Sequence, residues 1–163
     1  MCQSDDLRFR QAESEDAPDV LAIKQAAIEA TADSYNQEQI QAWRPTDEAL
    51  PTFKQATVNN RFVVLLAETD SGPAGYGVLN IDEARIDAVF VDPEHSRERL
   101  GSSLVSQLET RGQMVGLSEL TVVSSLNAQP FYESLGYESF ESRTRTIDGT
   151  DLEFVAVPKT IEE

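Results

Sequence analysis

Residues 89–104 read VFVDPEHSRERLGSSL. The apolar run Val89-Phe90-Val91 has the composition of a strand, and Asp92-Pro93 ends it. A polar loop carrying Arg97 and Arg99 follows. Leu100, Gly101, Ser102 and Ser103 then open an amphipathic helix whose apolar stripe is Leu100, Leu104, Val105 and Leu108. A strand, a short loop and a helix N-terminus together place unpaired backbone N–H groups where they can meet a phosphate. The two arginines add positive charge at that point, although the same pattern would also suit a plain helix start with two solvated arginines.

A second segment, SLNAQPFYESLGY (125–137), fits the same plan. It follows a buried-type strand, Leu120–Ser124, and carries a short helix from Pro130 to Leu135 closed by Gly136 in the left-handed region. Working outward, Leu7–Arg10 reads as a first strand. Ser14 or Asp16 is placed to cap the helix that follows, with Val20, Leu21, Ile23, Ala27 and Ile28 on its apolar side. Asn36 is placed to cap QEQIQAW. Residues 47–59 form a weaker helical stretch, interrupted near Pro51. Arg61–Glu68 and Ala74–Ile81 pair as a hairpin, with Gly75 and Gly77 marking a bulge or a close approach. Arg85–Val91 is the next strand. A last hairpin, Glu138–Thr146 and Leu152–Val157, turns at Asp148-Gly149. The order predicts one α/β domain over residues 1–163, with a mixed central sheet of about seven strands flanked by about four helices. The step from Arg85–Val91 through the long helix to Leu120–Ser124 is a parallel crossover, and ligands sit at the carboxyl ends of such strands.

Together the two segments resemble the acyl-CoA-binding core of the GNAT superfamily of N-acetyltransferases. Asn127, Ala128, Phe131, Tyr132, Gly136 and Tyr137 match a recurrent family pattern at every place. The first motif matches in part: Gly101 is kept, whereas Ser96 replaces the leading Gln or Arg and Arg99 replaces a glycine. A glycine there would let a ligand approach the backbone closely, so Arg99 either narrows the groove or substitutes a guanidinium contact. Arg97 is the better placed direct phosphate partner. The resemblance implies a GNAT-like fold and acetyl-CoA as co-substrate. It implies that Asn127 hydrogen-bonds the pantetheine arm and that the Tyr132 hydroxyl faces the thioester sulfur. It also implies that the strand end at Val89, Phe90 and Val91 splays from its parallel neighbour and offers backbone groups to the pantetheine amides. For Phe131 and Tyr137, core packing is the expectation.

Acetyl transfer to an amine needs a base. An alkylamine with a pKa near 10 lies about three units from neutrality, a handicap of roughly 4 kcal/mol if proton removal is charged to the barrier. Asp87 stands on the strand where several GNAT enzymes carry a carboxylate; Glu83 and Glu133 are rivals. A phenol near pKa 10 can donate to a thiolate of pKa about 8.5 as it forms, which suits Tyr132 as the general acid. The segment YNQEQIQAWRP (35–45) resembles a stretch of one GNAT subgroup that walls the acceptor pocket, which makes Tyr35 and Trp43 candidates for that wall. Trp43 would serve equally to pack its helix onto the sheet. His95, the only histidine, reads as a solvated loop residue.

Composition bounds the remaining choices. Only three residues are lysines (Lys24, Lys54, Lys159), and 29 carboxylates against 13 basic side chains give a formal charge of −16. The acidity is spread along the chain, as in proteins adapted to high salt. It disfavours nucleic acid as a partner, because phosphate-backbone binding needs a basic stripe. No run is long enough to span a membrane, the N-terminus lacks a hydrophobic signal core, and a cytoplasmic setting is expected. One histidine and one cysteine, Cys2, make a transition-metal site unexpected. The expected function is N-acetyl transfer to a small-molecule or peptide amine by direct attack. The alternative is a non-catalytic acyl-CoA-binding or regulatory module on the same fold. The terminal hairpin is a possible homodimer contact.

Overall fold

The computed structural model describes residues 8–30, 35–44, 46, 49–69, 72–93, 100–125, 128–137, 141–147 and 149–161. Among these residues seven segments form strands: β1 (Arg8–Gln11), β2 (Phe62–Thr69), β3 (Gly72–Asn80), β4 (Arg85–Val91), β5 (Glu119–Ser125), β6 (Glu141–Ile147) and β7 (Thr150–Thr160). They join one sheet in the order β1-β2-β3-β4-β5-β7-β6. Every neighbouring pair is antiparallel except β4 and β5, which run parallel across the expected crossover. The architecture is the mixed seven-stranded α/β sheet that the element order predicts.

Five α-helices flank it: α1 (Ala17–Glu29), α2 (Gln37–Trp43), α3 (Leu50–Val58), α4 (Leu100–Met114) and α5 (Gln129–Ser134). Helices α4 and α5 cover one face, where Leu104, Leu108 and Tyr132 pack on Leu65, Ala67, Leu79 and Val122. Helices α1 to α3 cover the other. There Val20 and Ile23 pack on Val64, Leu66 and Tyr76, and Ile28, Tyr35 and Ile40 pack on Leu152 and Phe154. Alternation of side chains along each strand lets a single sheet serve both layers.

Several local expectations change. Pro51 does not interrupt α3; it lies in the first turn, where a missing N–H costs nothing, and so starts the helix. Asn36 caps α2 as expected, accepting from the Gln39 N–H at 2.8 Å. Neither Ser14 nor Asp16 caps α1 with its side chain. Both belong to a 3-10 turn, and Asp16 instead accepts from the Glu13 N–H at 2.7 Å and from Arg10. Gly75 and Gly77 mark both a close approach and a bulge. A Cβ on Gly77 would lie 2.7 Å from Leu108 Cδ1, so the glycines let α4 settle onto β3. Ala67 pairs with Gly75 but Glu68 with Pro73, which leaves Ala74 as an extra residue beside Gly75. A second irregularity lies between β3 and β4. Val78 pairs with Ala88 and Leu79 with Ile86, which leaves Asp87 as the extra residue of β4.

Candidate active site

The parallel pairing of β4 and β5 is short. Arg85 pairs with Thr121 and Ile86 with Val122, and there it stops, although both strands continue. Beyond the Asp87 bulge the two strands therefore diverge. On the other side β4 stays paired to β3 as far as Val91, and the Asp92 N–H donates to Ala74 O at 2.8 Å. Hydrogen-bonding direction alternates along a strand, so the backbone groups of Ala88 and Phe90 also point to β3. Those of Val89 and Val91 point into the divergence. The side chains sort the same way: Val89 and Val91 pack under α4, Ala88 and Phe90 under α1.

A hollow of about 80 Å³ occupies the divergence, walled by Asp87, Ala88, Val89 and Phe90 of β4 and by Val123 and Ser124 of β5. Tyr132 and Ala128 close it on the α5 side, and Trp43, Phe154, Lys24 and Arg145 close it on the other. Lys24, Asp87, Ala88, Val123 and Arg145 also line an adjoining open cleft of about 740 Å³, bounded further by Phe53, Tyr76, Glu83, Arg85 and Arg143. Asp87 and Ala88, at the bulge, thus stand on the shared wall between a narrow space and a wide one.

Tyr132 is 4% exposed and lies on α5 one turn before the Gly136 stop, whose φ of +95° is the left-handed cap read from the sequence. Its hydroxyl makes no hydrogen bond among the described residues, yet it is not among the sealed polar atoms. Burial pushes its pKa up from the ordinary phenol value, so it is held as a proton donor at every physiological pH. Tyr137 differs. Its hydroxyl donates to Glu109 Oε2 at 2.8 Å, beside Lys159 Nζ at 2.9 Å, and the ring is fully buried.

Asp87 is held from two sides. The Arg85 guanidinium, two residues earlier on the same strand, forms an ion pair with it, and Asn80 Nδ2 lies 3.5 Å from Oδ2. Asn80 is itself fixed, accepting from the Glu83 N–H at 3.1 Å. Glu83 sits on the rim of the wide cleft, whereas Glu133 is exposed on α5 and lines neither space.

Helix α4 begins at Leu100, which is buried in the core. A Cβ on Gly101 would lie 3.1 Å from Phe131 Cζ and 3.7 Å from Val91 Cγ2, so this glycine lets the first turn of α4 pack closely on α5 and β4. Ser102 is partly exposed on the same turn. Arg97, Arg99, His95 and Asn127 lie outside the described residues, as does Cys2. Trp43 lines the narrow hollow, edge-on to Phe154 at 5.3 Å and 6.1 Å from Phe90. Tyr35 stands behind Trp43 at 5.5 Å, 4% exposed, with its hydroxyl donating to Glu153 O at 2.7 Å; it lines neither space. The structure thus brings Tyr132, Asp87, Val89, Phe90 and Trp43 to one hollow and leaves Tyr35 in the layer beneath.

The cations of the site were not anticipated. Lys24 follows Ala17, Val20 and Leu21 and precedes Ile28 at helical spacing, so it completes the apolar stripe of α1. A lysine on an apolar stripe is the signal that could have found it. Arg143 and Arg145, two apart on β6, share a face with their partners Phe154 and Leu152.

Comparison with known proteins agrees with this arrangement. The acetyltransferase (GNAT) domain family matches residues 31–152. The uncharacterized N-acetyltransferase YafP of Escherichia coli is 30% identical over 138 residues, 84% of this chain and 85% of that protein. A GCN5-related N-acetyltransferase structure from Rhodopseudomonas palustris has a TM-score of 0.85 and 30% identity, covering 98% of this chain and 99% of the other. The PaiA N-acetyltransferase of Thermoplasma acidophilum, solved in complex with coenzyme A, has a TM-score of 0.76 at 19% identity, covering 95% and 99%. With strands that part at a bulged carboxylate, a buried phenol facing the gap and these matches over most of its length, the chain belongs to the GNAT acetyltransferase family and is an acyltransferase.

Proposed function

We propose that the protein transfers the acetyl group of acetyl-CoA to a primary amine of a small molecule or peptide, by direct attack with both substrates bound. The observation that carries this is the Tyr132 hydroxyl, which has no hydrogen-bond partner among the described residues and belongs to a side chain lining the same hollow as the bulged Asp87. The divergence of β4 and β5 fits a pantetheine arm, because Val89 and Val91 turn backbone donors and acceptors into it that no strand satisfies. An extended amide chain would complete them as an added strand does. Phe90 gives its side chain to the acceptor side. The first turn of α4, Leu100, Gly101 and Ser102, would receive the pyrophosphate with Arg97 and Arg99, and Asn127 would hold the pantetheine. That the Thermoplasma protein was solved in complex with coenzyme A supports acetyl-CoA as the co-substrate.

In this reading the amine enters from the wide cleft past Asp87. Asp87 takes the ammonium proton through water, which frees the nitrogen lone pair. As nitrogen bonds to the acetyl carbon and the carbon–sulfur bond breaks, Tyr132 donates its proton to the departing sulfur. The second proton shed by the nitrogen passes to the tyrosinate, which leaves a neutral amide, a free thiol and Tyr132 restored. Burial keeps the phenol proton in place until the thiolate forms. Holding both reactants in a narrow passage supplies the orientation term. No step calls for a metal.

The test is calorimetric titration of acetyl-CoA, followed by thiol release with an amine panel. Saturable binding together with amine-dependent release that Tyr132→Phe abolishes is the expected result. Binding with no release for any amine, and no effect of Tyr132→Phe, would leave an acyl-CoA-binding module instead.

A further inference from the structure

Four of the 13 basic side chains of this acidic chain, Lys24, Arg85, Arg143 and Arg145, line the wide cleft, against two carboxylates, Glu83 and Asp87. Asp87 is already matched by Arg85, and Arg143 has Glu141 at 3.5 Å outside the cleft. Among the described residues Lys24 and Arg145 form no ion pair: their contacts are rings, Phe90 at 5.7 Å from Lys24 Nζ and Phe154 at 5.6 Å from the Arg145 guanidinium. The two lie on opposite elements, α1 and β6, and both also reach the narrow hollow. Burial first, and the charge of Arg145 second, hold the Lys24 ammonium below the usual lysine range. With 29 carboxylates available, a half-buried cation could have been neutralised at little cost, yet this pair is left facing each other across the acceptor entrance.

Lys24 and Arg145 lie over the rings of Phe90 and Phe154, which pack with α1 to α3 on the face of the sheet opposite to α4, and Arg85 is distant from the α4 end of its strand. Arg85 begins β4 and the loop to α4 leaves its far end, about 20 Å away at the rise of an extended strand. The overall charge repels anions at long range, but beyond a Debye length of about 8 Å at physiological salt that field is screened, and local charge decides recognition.

We propose, resting on the acetyl-transfer reading above, that the acceptor amine carries its own oxyanion, a carboxylate or a phosphate, which is clamped between Lys24 and Arg145 while its amino group faces Asp87. A cationic acceptor such as a polyamine would meet like charge at this entrance. A zwitterionic acceptor satisfies both sides of the cleft, oxyanion to the lysine–arginine pair and ammonium to Asp87.

The experiment uses three acceptor sets of matched carbon skeleton: amino carboxylates, their primary carboxamides and aminoalkyl phosphates. Thiol release gives kcat/KM, and the fluorescence of Trp43, the only tryptophan, gives binding without turnover. The expected result is a preference of about tenfold or more for the oxyanion acceptors over the carboxamides, lost in Arg145→Gln. That variant is on an exposed edge strand and should fold. The carboxylate and phosphate arms decide which oxyanion is used. Equal or better turnover of carboxamides or diamines would overturn the inference while leaving acetyl transfer intact. Saturable oxyanion quenching of Trp43 that Arg145→Gln removes, in a protein that fails to bind acetyl-CoA, would support the anion site and remove the acetyl-transfer reading. If no oxyanion perturbs Trp43 and none is acetylated, the inference is wrong.

Discussion

The Tyr132 ring stands edge-on to the ring of Tyr137, with centroids 5.7 Å apart and planes at 82°. The Tyr137 N–H also donates to Tyr132 O at 3.1 Å, so the two residues are joined by backbone and by ring. They come from one short motif, and their hydroxyls have opposite fates. Tyr137 donates its proton to Glu109, within a partly buried group completed by Lys159. Tyr132 keeps its proton for the hollow between β4 and β5. The supported ring holds the free one in place.

This contrast predicts opposite outcomes for the same substitution. Tyr132→Phe should lower kcat by about 10²- to 10⁴-fold, the usual range for loss of a positioned acid, with little change in stability because no protein hydrogen bond is lost. Tyr137→Phe should cost about 1.5–3 kcal/mol, the range for a hydrogen bond to a charged group, and leave kcat within a few fold. Urea unfolding and steady-state thiol release measure the two effects. Equal kcat losses in both variants would show that the pair acts only through packing.

Asp87 owes its position to the bulge, which turns it toward the cleft beside Arg85 and Asn80. Asp87→Asn keeps the volume and a partner for Arg85 but cannot accept a proton. The expected result is a fall in kcat of about 10²-fold with acetyl-CoA affinity unchanged. Glu83→Gln, on the rim, should matter less. A larger effect at Glu83 would move the base there.

How far could the sequence be read? Val89-Phe90-Val91 and the stripe Leu100, Leu104, Leu108 are periodic and local, and local periodicity survives tertiary packing, so β4 and α4 fall where expected. Gly136 and Gly149 both take positive φ, as their places after a helix and in a hairpin demand. The bulge at Asp87 was not legible, because it is a mismatch of register between two strands and no residue in β4 announces it. Gly101 stands in the expected cofactor loop, and its missing side chain also makes room for Phe131, a packing role that its place in the motif does not announce. The lysine–arginine pair joins residues 24 and 145, more than a hundred positions apart, and only the folded sheet brings them to one cleft. Tyr35 shows the converse: a family-like residue whose hydroxyl is taken by the Glu153 carbonyl.

The glycines of β3 set how tightly α4 lies on the sheet. A Cβ on Gly75 would meet Phe90 O at 3.0 Å and Leu104 Cδ1 at 3.2 Å. A backbone carbonyl cannot rotate away, so Gly75→Ala should destabilise by about 1–3 kcal/mol, the range for overpacking. Because the displaced strand is β4, acetyl-CoA affinity should fall with stability. Thermal unfolding and calorimetry of the variant check both, and an unchanged midpoint would show that β3 and β4 can separate at no cost.

Lys24 predicts a pH dependence of stability. Burial first, and Arg145 second, lower its pKa in the folded protein, whereas the unfolded chain keeps a value near about 10.4. Below the folded value both states are charged, and the cost of the buried ammonium is borne in full. Between the two values the unfolded chain binds the extra proton, so this group makes stability rise with pH, and the cost is gone above the unfolded value. Tyr76, Tyr132 and Tyr137 act in the opposite sense, since burial raises their pKa values and their contribution is lost only above the ordinary phenol range. Lys24→Met should therefore be more stable than the parent protein near pH 7, with the advantage shrinking as the pH rises toward the unfolded lysine value of about 10.4. Urea unfolding of both proteins in buffers free of carboxylate and phosphate measures the difference. A variant that is less stable at neutral pH, by a margin that does not change with pH, would show that the cleft already compensates the ammonium.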